Sequence, residues 1–195
     1  MMEIANSFLK CTSGEWYQKT IGFIIRPYDH TIDSEGVLSC AHKSWEIAYP
    51  DIPVSTRNSY VNQAYKGPYK GIFLVAVKDF EVIGFIHLNY VDMAKDTHEI
   101  SIDLFRLYVS PLYIHQGIGT SLLSHACTQV IQEMDSNIGI VHISLHVHGL
   151  NTSAKDFYKK RGFCFVKKVE PLMILDGHSM FDEFWSTSWN IKDAR

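Results

Sequence analysis

The spacing of apolar and polar positions predicts an ordered series of strands and helices along the chain. Alternating or β-branched apolar runs predict strands, and apolar residues that recur at helical spacing predict helices. The predicted strands are 21–26, 72–78, 82–91, 100–109, 140–147, 163–169 and 180–189. The predicted helices are 33–45, 55–65, 117–134 and 153–160. This order predicts one α/β domain with a mixed, mostly antiparallel central sheet flanked by helices.

Local signals refine these elements. Asp33 and Ser55 are expected to cap the first and second helices. The third helix carries an apolar stripe formed by Leu122, Leu123, Ala126, Val130 and Ile131. Residues 79–81 lie between two strand runs and predict a hairpin. Residues 1–19 have no clear period and are predicted to be an N-terminal extension, with the domain over 20–195.

Composition and charge narrow the class of protein. Apolar residues make up 46% of the 195 residues and charged residues 20%, which is typical of a soluble globular protein. The net charge of −3 argues against nucleic acid as a partner. No apolar run approaches the ~20 residues of a membrane span, and residues 1–10 do not resemble a secretory signal. The four cysteines are scattered, which predicts reduced thiols and a cytoplasmic location.

Residues 107–120 carry the strongest chemical signal, and they read Leu-Tyr-Val-Ser-Pro-Leu-Tyr-Ile-His-Gln-Gly-Ile-Gly-Thr. An apolar strand runs into a loop, and Gly117 and Gly119 open a helix. Backbone N–H groups collect at such a helix N-terminus and bind phosphate. The sequence therefore predicts a phosphate-bearing ligand. A dinucleotide is disfavoured, because no Gly-x-Gly-x-x-Gly motif is present and three strands precede the loop.

The order of elements over residues 20–190 resembles that of the GCN5-related N-acetyltransferase (GNAT) superfamily. The resemblance is specific in two blocks. The first block matches the superfamily pattern at Val109, Pro111, Tyr113, Gly117 and Gly119. It departs from the pattern at Ile114, where Arg or Gln is usual. The second block, 151–163, matches Asn-x-x-Ala-x-x-Phe-Tyr-x-x-x-Gly-Phe without a gap. A lone Gly-x-Gly is a weak signal, whereas two ordered blocks are specific.

The resemblance implies the acyl-CoA N-acyltransferase fold and acetyl-CoA as the acyl donor. The pyrophosphate is expected at the amides of Gln116, Gly117, Ile118, Gly119 and Thr120. The pantetheine arm is expected to pair, like an added strand, with Leu107, Tyr108 and Val109 and to contact Asn151. A bulge near Tyr108 would aim an amide at the thioester carbonyl and stabilise the oxyanion. Ile114 removes one side chain near the phosphates, so the site relies on main-chain amides.

The resemblance also implies catalytic residues, because only about one alkylamine in a thousand is uncharged at pH 7 and a base must take a proton. Asp103 matches the strand position of a base glutamate and is expected to act through water; the alternative is a surface carboxylate. Tyr158 matches the tyrosine that protonates the departing thiolate; the alternative is a core tyrosine. His146 matches a catalytic histidine of some protein N-terminal acetyltransferases; the alternative is a histidine on the sheet surface.

Three histidines of one predicted strand raise the question of a metal site. His142, His146 and His148 share one strand face, since alternate residues point the same way. Each step of two residues along a strand face spans about 7 Å, which is too stretched for one ion without further ligands. We therefore expect no metal.

The acceptor is predicted to be a primary amine on a small molecule, such as a polyamine or an amino sugar. Trp45, Tyr49 and Pro53 resemble a stretch that borders the acceptor pocket in small-molecule members; the alternative is aromatic core packing. Acidic residues also favour a cationic acceptor, namely Glu46, Asp51, Asp92 and Asp103. His146 and Tyr113 favour the alternative of a protein N-terminal or lysine acetyltransferase. A non-catalytic acetyl-CoA-binding module is a third hypothesis, and a monomer or homodimer is expected.

Overall fold

The structure is a computed structural model of the chain. It describes residues 22–50, 52–65, 69–94, 98–133, 138–169, 174–175, 178–179 and 182–190. The extension predicted for residues 1–19 lies outside the described residues. Among the helices that the structure describes, none combines the length and the apolar character that crossing a membrane requires.

The elements follow the predicted order, and their ends shift by a few residues. The helices are α1 (His30–Ala48), α2 (Val54–Ala64), α3 (Ile118–Glu133) and α4 (Thr152–Lys159), with a 3-10 turn at Pro111–Tyr113. The long strands are β1 (Ile24–Pro27), β2 (Ile72–Lys78), β3 (Glu81–Ala94), β4 (Glu99–Val109), β5 (Ile140–His148), β6 (Cys164–Val169) and β9 (Asp182–Asn190). Two short strands, β7 (Ile174–Leu175) and β8 (His178–Ser179), were not predicted.

Seven strands form one sheet in the order β1-β2-β3-β4-β5-β9-β6, and β7 pairs with β8. Antiparallel pairing joins β1 to β2, β2 to β3, β5 to β9 and β6 to β9, whereas β4 and β5 are parallel. This confirms the predicted mixed, mostly antiparallel sheet. The described chain forms two compact units: an N-terminal unit of residues 22–88 and 106–127, and a C-terminal unit of residues 89–105 and 128–190.

The first two helices of the N-terminal unit begin differently from the prediction. The side chain of Asp29 caps α1 by accepting a 2.8 Å hydrogen bond from a backbone amide of the first turn. Asp33 is buried and binds Arg26 through two 2.6 Å contacts, so the predicted Asp33 cap is wrong. The Ser55 cap is also wrong, because α2 begins at Val54 and has no side-chain cap bond.

Arginine side chains bind the last carbonyl groups of both helices. The guanidinium of Arg57 donates to the carbonyls of Glu46 and Tyr49, at 3.0 and 3.2 Å. The guanidinium of Arg106, on β4, donates to the carbonyl of Ala64 at 2.6 Å. The last carbonyls of a helix have no partner within the helix and form its negative pole. Each arginine therefore satisfies a helix end and neutralises its partial charge.

Gly84 in β3 allows β4 and α3 of the N-terminal unit to approach the strand closely. A Cβ at this position would lie 3.0 Å from the Tyr108 carbonyl oxygen, 3.2 Å from Ile118 and 3.3 Å from Leu122. Those distances are too short for a side chain without displacement of the neighbours. The buried apolar side chains of α3 are Ile118, Leu122, Leu123, Ala126, Cys127 and Val130, and Ile131 is half-buried. The predicted stripe is therefore the packed face of α3.

Candidate functional site

The loop between β4 and α3 has the backbone geometry of an anion site. His115 and Gly117 have positive φ values of 64° and 80°, which turn the chain sharply before the helix. The Gly117 carbonyl accepts the amide of Ser121 at 2.9 Å, so it closes the first helical hydrogen bond. The amides of residues 118–120 precede that bond and lie at the positive end of the helix dipole. This arrangement is suited to a phosphate group.

The predicted phosphate-binding residues are accessible along this loop. Four residues of the loop and the first turn of α3 are exposed, namely Ile114, Gln116, Gly117 and Thr120, and Gly119 is half-buried. Ile118 is the exception, because its side chain is buried against Gly84 and anchors the start of α3. The loop thus presents its main chain outward while one apolar side chain holds it to the sheet.

Helix α1 holds the end of β4, where the acyl-binding residues were predicted. Trp45 donates its indole N–H to the hydroxyl of Tyr108 at 3.1 Å. The hydroxyl of Ser44 is shared between two carbonyls, that of Cys40 at 2.8 Å and that of Val109 at 3.2 Å. Leu107, Tyr108 and Val109 are half-buried. Two neighbouring residues of α1 therefore fix both a side chain and a main-chain group of this strand end.

Five aromatic side chains meet around this point, and we refer to them as the aromatic cluster: Trp45, Tyr49, Tyr60, Tyr65 and Tyr108. The ring of Trp45 lies 4.4 Å from that of Tyr49 and 4.7 Å from that of Tyr60. Phe85 lies beneath, with its ring 5.8 Å from Tyr65 and 5.4 Å from Tyr108. The structure therefore brings the predicted acceptor residues Trp45 and Tyr49 together with three tyrosines.

Two hydroxyls of the aromatic cluster, those of Tyr65 and Tyr108, are poorly hydrated. Burial raises the pKa of Tyr65 well above its ordinary value, and burial also raises the pKa of Tyr108. These two hydroxyls are hydrogen-bonded to each other, and Tyr60 lies within electrostatic reach of both. The guanidinium of Arg106 stacks over the Tyr65 ring at 4.3 Å and opposes these shifts. At neutral pH the two phenols are hydrogen-bonding groups and not bases.

In the C-terminal unit, Asp103 and His146 share one face of the sheet. The parallel ladder pairs Asp103 with Ser144, and His146 lies two residues further along β5 on the same face. Glu99 and His142 are related by the same offset, and their carboxylate and imidazole are 3.1 Å apart. This offset gives a hydrogen bond between Glu99 and His142, and it places Asp103 in electrostatic contact with His146.

Two carboxylates lie in electrostatic contact with His146. Burial raises the pKa of Asp103, and the nearby His146 works in the opposite direction. Burial also raises the pKa of Asp182, and His148 and His146 oppose that shift. The ring of His146 is exposed and contacts the ring of Phe184 at 5.2 Å. An accessible imidazole beside partly desolvated carboxylates can accept and pass on a proton.

The histidines of β5 are distributed among separate partners. His142 contacts Glu99, and His148 lies opposite Asp182 in the β5–β9 ladder. Burial lowers the pKa of His148. In the part of the chain that the structure describes, no group of three or more His, Cys, Asp or Glu side chains is arranged to hold a metal ion.

Helix α4 carries the remaining predicted residues. The side chain of Asn151 accepts the amide of Ala154 at 3.1 Å and so caps the start of this helix. Tyr158 is buried, with 7% exposure, and its ring packs 5.3 Å from Phe157 and 5.4 Å from Phe163. Contact of Asn151 with pantetheine and proton transfer by Tyr158 remain predictions.

A polar network holds the turn that leads into α4. The ammonium group of Lys155 donates to the carbonyl of Gly149 and to the carboxylate of Glu183, the latter at 3.3 Å. The other oxygen of Glu183 accepts the indole N–H of Trp185 at 3.1 Å. The turn closes where the amide of Asn151 donates to the His148 carbonyl at 2.9 Å. The network therefore fixes the turn immediately before Asn151.

Sequence reasoning missed several of these residues. Tyr60 and Tyr65 were too irregularly spaced to interpret, and the ion pair of Lys155 with Glu183 joins positions far apart in the chain. Gly84 did offer a signal, because a glycine within an apolar strand often marks a close approach of another backbone. Of the acidic residues expected near the acceptor, Glu46 is exposed, and Asp51 and the Asp92 side chain lie outside the described residues.

Comparison with known proteins gives a family match and a curated relative. The model of the acetyltransferase (GNAT) family matches residues 36–163, which is more than half of the chain. The spermidine N(1)-acetyltransferase of Thermoplasma acidophilum is 28% identical over 144 residues. The aligned region covers 67% of this chain and 82% of that relative.

Several solved structures have a similar fold. The PaiA N-acetyltransferase of Thermoplasma acidophilum, in complex with coenzyme A, gives a TM-score of 0.66 at 24% identity, over 87% of this chain and all of that one. The ribosomal-protein-S18-alanine N-acetyltransferase of Escherichia coli gives 0.59 at 16% identity, over 85% and 93% of the two chains. At these identities the similarity establishes the fold alone.

Replacing Lys155 with Met is expected to lower the free energy of unfolding by about 1–3 kcal/mol, because two half-buried acceptors lose their donor. Urea denaturation followed by circular dichroism measures this change. Lys43→Met is the matched control, since the Lys43–Glu81 pair is exposed and 3.4 Å apart, and it should change stability by less than about 1 kcal/mol. Equal losses in the two variants would contradict a special role for the Lys155 network.

Proposed function

The chain belongs to the acetyltransferase (GNAT) family, and we propose that it acetylates a small primary amine of the polyamine type. The family defines the chemistry: the protein is an N-acetyltransferase that uses acetyl-CoA as co-substrate. The curated relative that it matches over two thirds of its length is named for spermidine, which supports a polyamine acceptor. The scattered cysteines support a cytoplasmic location.

The hydrogen bond between Trp45 and Tyr108 carries the proposal of a small acceptor. Trp45 belongs to the segment that resembles the border of an acceptor pocket. Tyr108 lies on β4, at the residue whose amide is proposed to face the thioester carbonyl. The 3.1 Å bond thus joins the proposed acceptor segment to the proposed acyl-binding strand, within one compact unit.

The donor is proposed to be held mainly by backbone groups. The exposed loop and the first turn of α3, residues 116–120, would bind the pyrophosphate through amides and the helix dipole. The β4–β5 ladder extends to Asp103, and Leu107, Tyr108 and Val109 follow it along β4. This supports pairing of the pantetheine amides with those three residues, as for an added strand. Asn151 would contact the same arm.

The proposed reaction needs one new bond and two proton transfers. The neutral amine attacks the thioester carbonyl, a C–N bond forms, and the amide near Tyr108 stabilises the oxyanion. The C–S bond then breaks, and Tyr158 protonates the CoA thiolate. The proton of the attacking nitrogen passes to Asp103, directly or through water, with His146 as the neighbouring acceptor. The pairing of Asp103 with His146 supports this assignment more than a lone surface carboxylate would.

The acceptor class is tested by CoA release with a panel of spermidine, diamines, an amino sugar and a ribosomal-protein N-terminal peptide. We expect turnover with the polyamines, and a loss in kcat of about 100-fold in Tyr158→Phe, because the thiolate loses its proton donor. Tyr28→Phe is the control, since Tyr28 stacks on Phe73 and has no proposed part in catalysis or binding. Turnover of the peptide alone would favour the protein acetyltransferase, and CoA binding without turnover of any acceptor would favour the non-catalytic module.

Gly117→Asp is expected to abolish CoA binding in isothermal titration calorimetry, because a carboxylate would face the pyrophosphate. Gly117→Asn is the matched control: it has the same shape without the charge, and asparagine tolerates the positive φ of 80°. A Cβ at this position meets nothing within 4 Å, so neither variant creates a clash. Retained micromolar affinity in Gly117→Asp would contradict the phosphate-loop assignment.

The role of Asp103 is tested by the pH dependence of kcat at saturating amine. A base must be deprotonated, and burial raises the pKa of Asp103, so kcat should fall as the pH drops through a value above that of an ordinary aspartate. Asp103→Asn should lose this acid limb and lower kcat. The control Glu99→Gln, which removes the carboxylate that contacts His142, should retain the acid limb of the pH profile. An unchanged profile in Asp103→Asn would leave His146 as the base.

A further inference from the structure

Carboxylates of both neighbouring strands flank the imidazole of His146 in the C-terminal unit. On β4, Asp103 pairs with Ser144, so it lies one step of two residues from His146 on the same face of the sheet. On β9, Phe184 is directly opposite His146, and Asp182 lies one such step further along the same face. Diagonal neighbours of an antiparallel pair are about 7–8 Å apart, which is within reach of a large side chain such as histidine. The imidazole therefore lies between two strands that each present a carboxylate.

The side chains agree with this placement. Glu99 and His142 have the same strand offset as Asp103 and His146, and their carboxylate and imidazole are 3.1 Å apart. Burial raises the pKa of Asp103 and of Asp182, and the imidazole of His146 opposes the rise in both. One imidazole is thus in electrostatic contact with a carboxylate on each side of its strand.

The remaining neighbours of His146 leave the two carboxylates as the dominant charges beside it. The ring of Phe184 contacts the imidazole at 5.2 Å with the ring planes tilted by 47°, which limits the rotation of the imidazole. His148 lies directly opposite Asp182 in the ladder, and Lys155 of α4 is within electrostatic reach of His148. Burial lowers the pKa of His148, so at neutral pH its ring adds no positive charge that would cancel the carboxylates.

We propose that Asp182 is a positioning residue for proton transfer, which together with Asp103 holds the His146 imidazole between two carboxylates and stabilises the ring when it carries a proton. The inference rests on the proposed function and adds a residue of β9 to it. As the C–N bond forms, the proton of the attacking nitrogen passes to Asp103 or to His146. The ring of His146 is exposed, so it can release that proton to water before the next turnover. A carboxylate on each side favours the protonated ring, because opposite charges attract.

The arrangement is tested first without substrate, by carboxyl carbon-13 NMR of the full chain over a range of pH. Because the imidazole of His146 lowers the pKa of both carboxylates, His146→Gln is expected to raise the pKa of Asp103 and of Asp182. His142→Gln is the matched control: it makes the same change on the same strand face, where the imidazole contacts Glu99, and it should leave both carboxylates unchanged. A rise confined to Asp103 would overturn the inference, since Asp182 would then not interact with His146.

The role in proton transfer is tested by the pH dependence of kcat at saturating spermidine. A negative charge favours the protonated form of either proposed acceptor, so Asp182→Asn makes both weaker bases. The acid limb of kcat should therefore move to lower pH by about 0.5, the effect of one unit charge about 7 Å away in water. Asp182→Glu keeps the charge and should hold the limb near its wild-type position.

The outcomes separate this role from a structural one and from the proposed function. If Asp182 only supported the fold, Asp182→Asn would lower kcat equally at every pH and leave the acid limb in place, and that result would overturn the inference. Turnover of spermidine would then still support the proposed function. Failure of the wild type with every small amine would overturn the proposed function, and the NMR comparison would still decide whether His146 lies between the two carboxylates.

Discussion

The close approach of three segments at Gly84 is the constraint on which the proposed donor site depends. Because this position has no side chain, the backbone of β4 at Tyr108 and the first turn of α3 at Ile118 can both lie against β3. The loop between them is sharply turned at His115 and Gly117, and most of its residues are exposed. A phosphate site made of main-chain groups needs this kind of rigid support, since an amide that moves binds an anion weakly. For the same reason the proposed phosphate site does not depend on an Arg or Gln side chain at position 114, where this chain has Ile114.

The elements of the proposed acceptor side, α1 and α2, are hydrogen-bonded to β4. Trp45 and Ser44 of α1 bind the side chain and main chain at the end of β4, and Arg106 of β4 binds the end of α2. The elements proposed to present the amine are therefore held by the strand proposed to present the acyl group. The bonds that achieve this are few, partly buried and directional, so the relative geometry of the proposed groups does not rely on apolar packing alone.

The order of elements and the sharp turn before α3 were predictable because each leaves a local pattern. The apolar stripe of α3 repeats at helical spacing, and the glycines that open it are adjacent to a strand end. The start of α1 was wrong because two aspartates lie near it. Asp33 fits the cap pattern equally well, but the amide of Thr31 donates to the side chain of Asp29, and the carboxylate of Asp33 binds Arg26 instead. The places of Tyr60 and Tyr65 in the aromatic cluster could not be predicted, because Tyr60 packs on Trp45 and Tyr65 is hydrogen-bonded to Tyr108, and no local pattern records such contacts.

The guanidinium of Arg106 has an evolutionary consequence. It lies two residues before Tyr108 on β4, stacks on Tyr65 and holds the end of α2 at Ala64. Because α2 belongs to the proposed acceptor side, a descendant that adapts to a bulkier acceptor is expected to move α2, and this tether opposes that movement. Divergence of acceptor preference among homologues should then be accompanied by replacement at position 106. The identity of this one residue would sort relatives by acceptor size more reliably than the glycine loop, which all of them need for the shared donor.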